Sequence, residues 1–230
     1  MYGTIENAYY INFNDLKENG GPIENFICYK EQMTDNEKIK KDVIIYSPGG
    51  VACTTIFYSI LESNTILLND KEDKDGLKHL PFPQNGIAKK AIYIMNDPLL
   101  AVLSHYRRDW ADIQMEKLNN YKYKDYSLEK LLETTETENR DLFGIETQFN
   151  NFIQSNVDYP IMFVYFKNIS KNKKKICTFL DIKPDTFDNF QIIDRNCKKD
   201  RMSSKVLKIY EKLNQKFLDY DTYILKPSFL

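Results

Sequence analysis

No apolar run in this 230-residue chain approaches the roughly 18 residues that a membrane-crossing helix requires. The opening stretch, Met1–Asp15, is polar and aromatic, without the basic start and apolar middle of a secretion signal. The single glycosylation-type triplet, Asn168-Ile169-Ser170, carries no meaning without such a signal. Cysteine is sparse: Cys28, Cys53, Cys177 and Cys197 form no CxxC pair, and they share no metal-ligand spacing with the two histidines. A disulfide scaffold and a metal site are therefore not expected, and a reduced, cytoplasmic protein is. Charge of one sign is lacking too. The net charge of −1 supplies no broad positive field for nucleic acid or an anionic membrane surface, so any anionic ligand must be held by a local site. No internal repeat and no Pro/Gly/Ser-rich linker divides the chain, which reads as one domain over residues 1–230.

What is present is a globular composition, 42% hydrophobic and 13% aromatic, on a chain long enough for one continuous core. Val43-Ile44-Ile45-Tyr46 and Ala91-Ile92-Tyr93-Ile94-Met95 are short, apolar, β-branched runs that stop at turn residues, Ser47-Pro48-Gly49-Gly50 and Asn96-Asp97-Pro98. Helical sequence follows each, over about Thr54–Glu62 and from Leu99 to about Leu118. A third strand, Ile161–Phe166, precedes a helix containing Ile176, Phe179 and Leu180. Further helices are expected at Ser127–Thr135, Asp141–Gln154 and Ser203–Tyr220, and polar surface loops at Glu31–Lys41 and Asn69–Asp75. Strands alternating with helices predict an α/β fold, a three-layer sandwich with a central parallel sheet.

The segment Ser47-Pro48-Gly49-Gly50-Val51-Ala52-Cys53-Thr54-Thr55 lies between a buried strand and a helix, where P-loop proteins hold phosphate. Glycines let several N–H groups turn inward, the helix start adds free donors, and Thr54 and Thr55 add hydroxyls. The Walker pattern is not met, because Thr54 stands at its lysine position and Cys53 at its second glycine. Nucleotide–Mg²⁺ phosphoryl transfer depends on that lysine, so an ATPase or kinase is disfavoured. Read without a ligand, the same segment is a strand-to-helix turn with glycines for geometry.

Tyr93-Ile94-Met95-Asn96-Asp97-Pro98-Leu99-Leu100-Ala101-Val102-Leu103-Ser104 resembles the 3′-phosphate-binding stretch of the sulfotransferases, where a strand ends in Arg-Asn/Asp-Pro and a serine follows in the next helix. Asp97-Pro98 and Ser104 match; Asn96 stands where the family has arginine. The first loop is similar to the family's 5′-phosphosulfate loop, with Thr54 and Thr55 on its threonines and Val51 or Gly49 at its basic position. Lys78-His79-Leu80-Pro81 resembles the stretch that carries the family's catalytic histidine, and Ile161–Lys167 with Phe179-Leu180-Asp181-Ile182 is similar to a later strand and helix end. Lys199-Asp200-Arg201 looks like the basic loop that closes over the donor in carbohydrate-modifying members. The likeness runs from about Val43 to Tyr220, and residues 1–42 lie outside it.

The resemblance implies a P-loop sulfotransferase-like fold that moves a sulfuryl group from 3′-phosphoadenosine-5′-phosphosulfate (PAPS) to a hydroxyl on a glycan or phenol, without a metal. His79 would be the base. Gly49, Gly50, Val51, Ala52, Cys53, Thr54 and Thr55 would face the phosphosulfate, while Asn96, Ser104, Arg107 or Arg108, and Arg201 would hold the 3′-phosphate. The region Tyr121–Asn156 would set acceptor specificity. Each residue also has a plainer reading: His79 packed beside Pro81 and Phe82, Arg107 and Arg108 on a solvated helix face, Ser104 bonded back to its own turn, Trp110 as packing. Loss of basic residues from both phosphate loops keeps a non-catalytic interaction protein of the same fold, and less so a P-loop kinase with Asp97 on the metal, as alternatives.

Overall fold

The computed structural model describes residues 40–119, 122–192 and 202–227. Its centre is a sheet of four strands in the order β1 (Lys41–Tyr46), β2 (Ala88–Met95), β3 (Ile161–Tyr165), β4 (Ile224–Leu225). The first three are parallel, with Tyr46 opposite Tyr93 and Tyr93 opposite Phe163. β4 runs antiparallel to β3, so the sheet is mixed rather than purely parallel. Two residues before Lys226-Pro227 are too short a run to register as a strand by sequence pattern. They are held because Thr222 N–H and Tyr223 C=O both pair with Phe163.

Seven α-helices of the described residues connect and cover these strands: α1 (Cys53–Ser63), α2 (Pro98–Arg107), α3 (Ala111–Asn119), α4 (Leu128–Glu138), α5 (Ile145–Ile153), α6 (Ile169–Leu180) and α7 (Ser204–Asp219). β3 is wholly buried and β1 and β2 nearly so, which is what helices on both faces require. On one face Tyr46, Tyr93 and Phe163 form a cross-strand aromatic row. α5 closes it with Phe152 at 4.8 Å from Tyr46 and 4.7 Å from Tyr93, and with Phe149 at 5.7 Å from Phe163. The other face carries Ile45, Ile92 and Met162, and α6 covers it; the Lys90 ammonium reaches the Phe179 carbonyl and Asp181 there.

Two predicted helices begin or end elsewhere than their pattern implied. The stretch from Leu99 to Leu118 is two helices, because Asp109 takes a left-handed conformation (φ 54°) and Trp110 N–H returns to the His105 carbonyl. Asp141 is not helical: its two carboxylate oxygens accept from Phe143 and Glu146 N–H, ahead of Gly144 at φ 97°. Both breaks fall at aspartates, one in a left-handed conformation and one bonding nearby backbone amides, a signal weaker than Gly or Pro.

The sheet's outer edge at β1 is covered by the loop after α1. Asp42 and Val43 N–H donate to the Leu67 carbonyl, and the Asn69 side-chain amide bonds both N–H and C=O of Ile45. A side chain thus stands in for a strand residue and leaves no bare edge there.

Candidate functional site

The parallel strands end side by side, so the segments after β1 and β2 meet at the carboxyl edge of the sheet, where open α/β sheets bind ligands. After β1, Gly49 (φ 78°), Gly50 (φ 68°) and Ala52 (φ 60°) are all left-handed. The turn they make leaves the N–H groups of Gly50, Val51, Ala52, Cys53 and Thr54 without acceptors among the described residues. That is a run of donors leading into the start of α1. Ala52 and Thr55 are exposed and Thr54 is half-buried, whereas the Val51 and Cys53 side chains point into the core. Those two can offer only backbone to a ligand.

The two glycines also serve packing. A Cβ on Gly50 would stand 2.7 Å from the Ala101 carbonyl oxygen, and one on Gly49 would stand 2.6 Å from His105 Nε2. Ala101 and His105 are one turn apart, so α2 lies directly against the loop. α3 closes the same side, with the Gln114 amide carbon 3.5 Å from that Gly49 position.

After β2, Asp97 Oδ1 accepts from Leu99 and Leu100 N–H, and Pro98 occupies the first helical position. The Asp-Pro pair is therefore a helix cap. Asn96 is half-buried, and its side-chain oxygen lacks a partner among the described residues. Ser104 is buried on α2, three residues from Ala101 and so beside the face that meets the loop. Its hydroxyl bonds to no carbonyl of its own turn among the described residues; its carbonyl accepts from Arg108 Nε. Arg107 is exposed, so the arginine that the fold sets beside Ser104 is Arg108, which also stacks 4.8 Å from the exposed Trp110 ring. Arg201, with Lys199 and Asp200, lies outside the described residues, as do Cys28, Cys197 and Tyr121.

His79 is at the mouth of the loop. Its Nδ1 is 2.8 Å from the Ser47 carbonyl oxygen, and Ser47 N–H donates back to the Lys78 carbonyl. A carbonyl only accepts, so Nδ1 carries the proton and Nε2 keeps its lone pair. Burial pushes the His79 pKa down to about 4; Asp73 pulls it upward, while Lys78 and Lys117 push it down. His105, stacked on Phe143 with ring centroids 5.3 Å apart, is pushed to about 3, again chiefly by burial. Both rings are neutral at pH 7.

Sequence pattern had no means of marking the residues that hold this arrangement. Gln148 is fully buried on α5; its oxygen accepts from Tyr93 OH and its amide donates to the Leu80 carbonyl at 2.6 Å. Asn151 donates to the Pro81 carbonyl. Two side-chain amides thus fix the segment after His79 to α5, and Gln148 ties it through Tyr93 to the sheet. On the other side Asp73 accepts from Lys78 N–H at 2.8 Å and from Lys117 Nζ at 2.5 Å, joining the same segment to α3. Among the described residues no group of three or more His, Cys, Asp or Glu side chains has metal-ligand geometry, and no helix is long and apolar enough to cross a membrane. No family model, no curated protein and no solved structure matches this chain.

Proposed function

We propose that the segments after β1 and β2 bind an anionic nucleotide of the PAPS type and that the chain transfers its sulfuryl group to a hydroxyl acceptor. The fold would then be a P-loop sulfotransferase-like variant with a mixed sheet. The observation that carries this reading is the convergence of three features at one sheet edge. They are the open run of amides from Gly50 to Thr54, the neutral His79 imidazole bonded to the loop's first residue, and polar atoms with unmet bonding capacity at Asn96, His105 and Gln114. Buried polar groups are seldom left unpaired, so this concentration favours a polar ligand.

In this reading the acceptor oxygen attacks sulfur while its proton passes to His79 Nε2, and the bond from sulfur to the 5′-phosphate oxygen breaks. The loop amides take up the charge that grows on the leaving phosphate. Asn96 and Ser104 lie on the strand end and helix that would face the 3′-phosphate, with Arg108 next to Ser104. Asp97 is a helix cap with one oxygen given to two backbone amides, which argues for the sulfuryl reading over a kinase that would place it on a metal.

The test is thermal denaturation with adenosine 3′,5′-bisphosphate, the product nucleotide. At a concentration 100-fold above Kd it stabilises the protein by about 2.7 kcal/mol, and Ser104→Ala weakens the shift. His79→Ala keeps the nucleotide shift and loses sulfate transfer to glycan or phenol acceptors. No shift at millimolar nucleotide would reject the reading, and a shift with transfer unaffected by His79→Ala would reject His79 as the base.

A further inference from the structure

The loop after β1 has no basic residue of its own, yet a desolvated phosphate or sulfate group is bound most strongly by charged donors. α3 supplies what the loop lacks. Gln114 and Lys117 are three residues apart and share one face of that helix. Gln114 is 4% exposed, packs against Gly49, and its Nε2 has no hydrogen-bond partner among the described residues. One turn further, Lys117 Nζ is 2.5 Å from Asp73 Oδ2, with the Lys side chain 26% and the Asp side chain 8% exposed. Asp73 in turn bonds the backbone next to His79. An ammonium has three N–H donors, and among the described residues Lys117 gives only one of them to protein, the bond to Asp73.

From this we infer that Gln114 and Lys117 form an oxyanion subsite for the tetrahedral phosphate or sulfate group of the ligand, with Lys117 supplying the cation missing from the loop. The inference rests on the anionic-nucleotide reading for its location, and adds to it Lys117, which that reading does not use. A cation reaching the ligand from α3 explains how Val51 and Gly49 are tolerated at the loop's basic position. Asp73 holds the ammonium in place and tempers its charge while no anion is bound.

The test is titration calorimetry of the full chain with adenosine 3′,5′-bisphosphate and, separately, with inorganic pyrophosphate. Lys117→Met should raise Kd for both by about tenfold to a hundredfold, and Lys117→Arg should restore most of it. Asp73→Asn removes the same ion pair but leaves the cation, so it should keep or tighten affinity. Gln114→Leu should weaken both anions by a smaller factor. Equal weakening by Asp73→Asn and Lys117→Met would make the pair a structural staple and overturn the subsite, as would unchanged binding in Lys117→Met. If the wild-type chain binds pyrophosphate in a Lys117-dependent way but ignores the nucleotide, the subsite stands and the PAPS reading falls. If it binds neither, both fall.

Discussion

His79 and His105 are the chain's two histidines, and the fold keeps both neutral beside the same loop. Burial is the main cause in each case, which gives a pH dependence with a definite sign. Unfolded, each imidazole takes up a proton near 6.5; folded, His79 does so near 4 and His105 near 3. Between those values the unfolded chain binds more protons, so this contribution to stability is complete above about pH 6.5 and declines as pH falls toward 4 and then 3. Asp73, Lys78 and Lys117 set the field at His79, and His79 and Arg108 that at His105. Burial raises the carboxyls of Asp75 and Asp141, which act in the opposite sense as pH falls. Urea midpoints between pH 7.5 and 4 should therefore be compared with those of a His79→Gln/His105→Gln variant. The wild-type midpoint should drop more steeply below pH 6.5; parallel profiles would mean that neither ring is held neutral by the fold.

Between elements, the loop after β1 lies close against α2, and the glycines there have a cost that can be measured. Gly50→Ala combines a left-handed backbone with a Cβ 2.7 Å from the Ala101 carbonyl oxygen and 2.9 Å from its Cα, both of them backbone atoms that cannot turn aside. Gly86 has a similar φ of 78° but open space around it. Gly86→Ala should cost about 1 kcal/mol for the backbone alone, and Gly50→Ala about 2–4 kcal/mol with the added overpacking. Equal losses in chemical denaturation would mean that α2 does not press on the loop. This contact also shows how far the sequence could be read. Val43–Tyr46, Ala91–Met95 and, but for Phe166, which begins a 3-10 turn, Ile161–Phe166 were legible as strands because fully buried parallel strands are continuous apolar runs, and the glycines marked the first turn. That the same glycines admit α2 was not legible, since it depends on His105 and Ala101, some 50 residues away in the chain. His79 was singled out through a four-residue likeness. Gln148, Asn151, Asp73 and Lys117 were missed, because a buried amide on a helix or an ion pair between a loop and a helix has no local pattern.

Across the whole molecule, the site depends on a core that begins directly beneath it. The aromatic row Tyr46, Tyr93 and Phe163 lies under the strand ends, and Phe149 joins it to the last helix: its ring centroid is 6.1 Å from Tyr93, 5.7 Å from Phe163, 4.6 Å from Phe217 and 5.5 Å from Tyr220. One residue thus links β2, β3, α5 and α7, and its neighbour on α5, Gln148, ties the same helix to the His79 segment. Truncating Phe149 to Ala leaves a ring-sized void in a fully buried place, at a cost of about 3–5 kcal/mol. Phe149→Leu, which refills most of that volume, should cost clearly less. Trp110 offers a reporter at the other end of this linkage. It is the chain's one tryptophan, 54% exposed on the turn between α2 and α3, next to the helices that close the loop. If core and site form one cooperative unit, Trp110 fluorescence and far-ultraviolet dichroism give coincident unfolding curves, and Phe149→Ala moves both by the same amount. A Trp110 transition that stays in place while the dichroism curve shifts would separate the loop, α2 and α3 from the sheet, leaving the amide run and His79 without a rigid frame to hold them together.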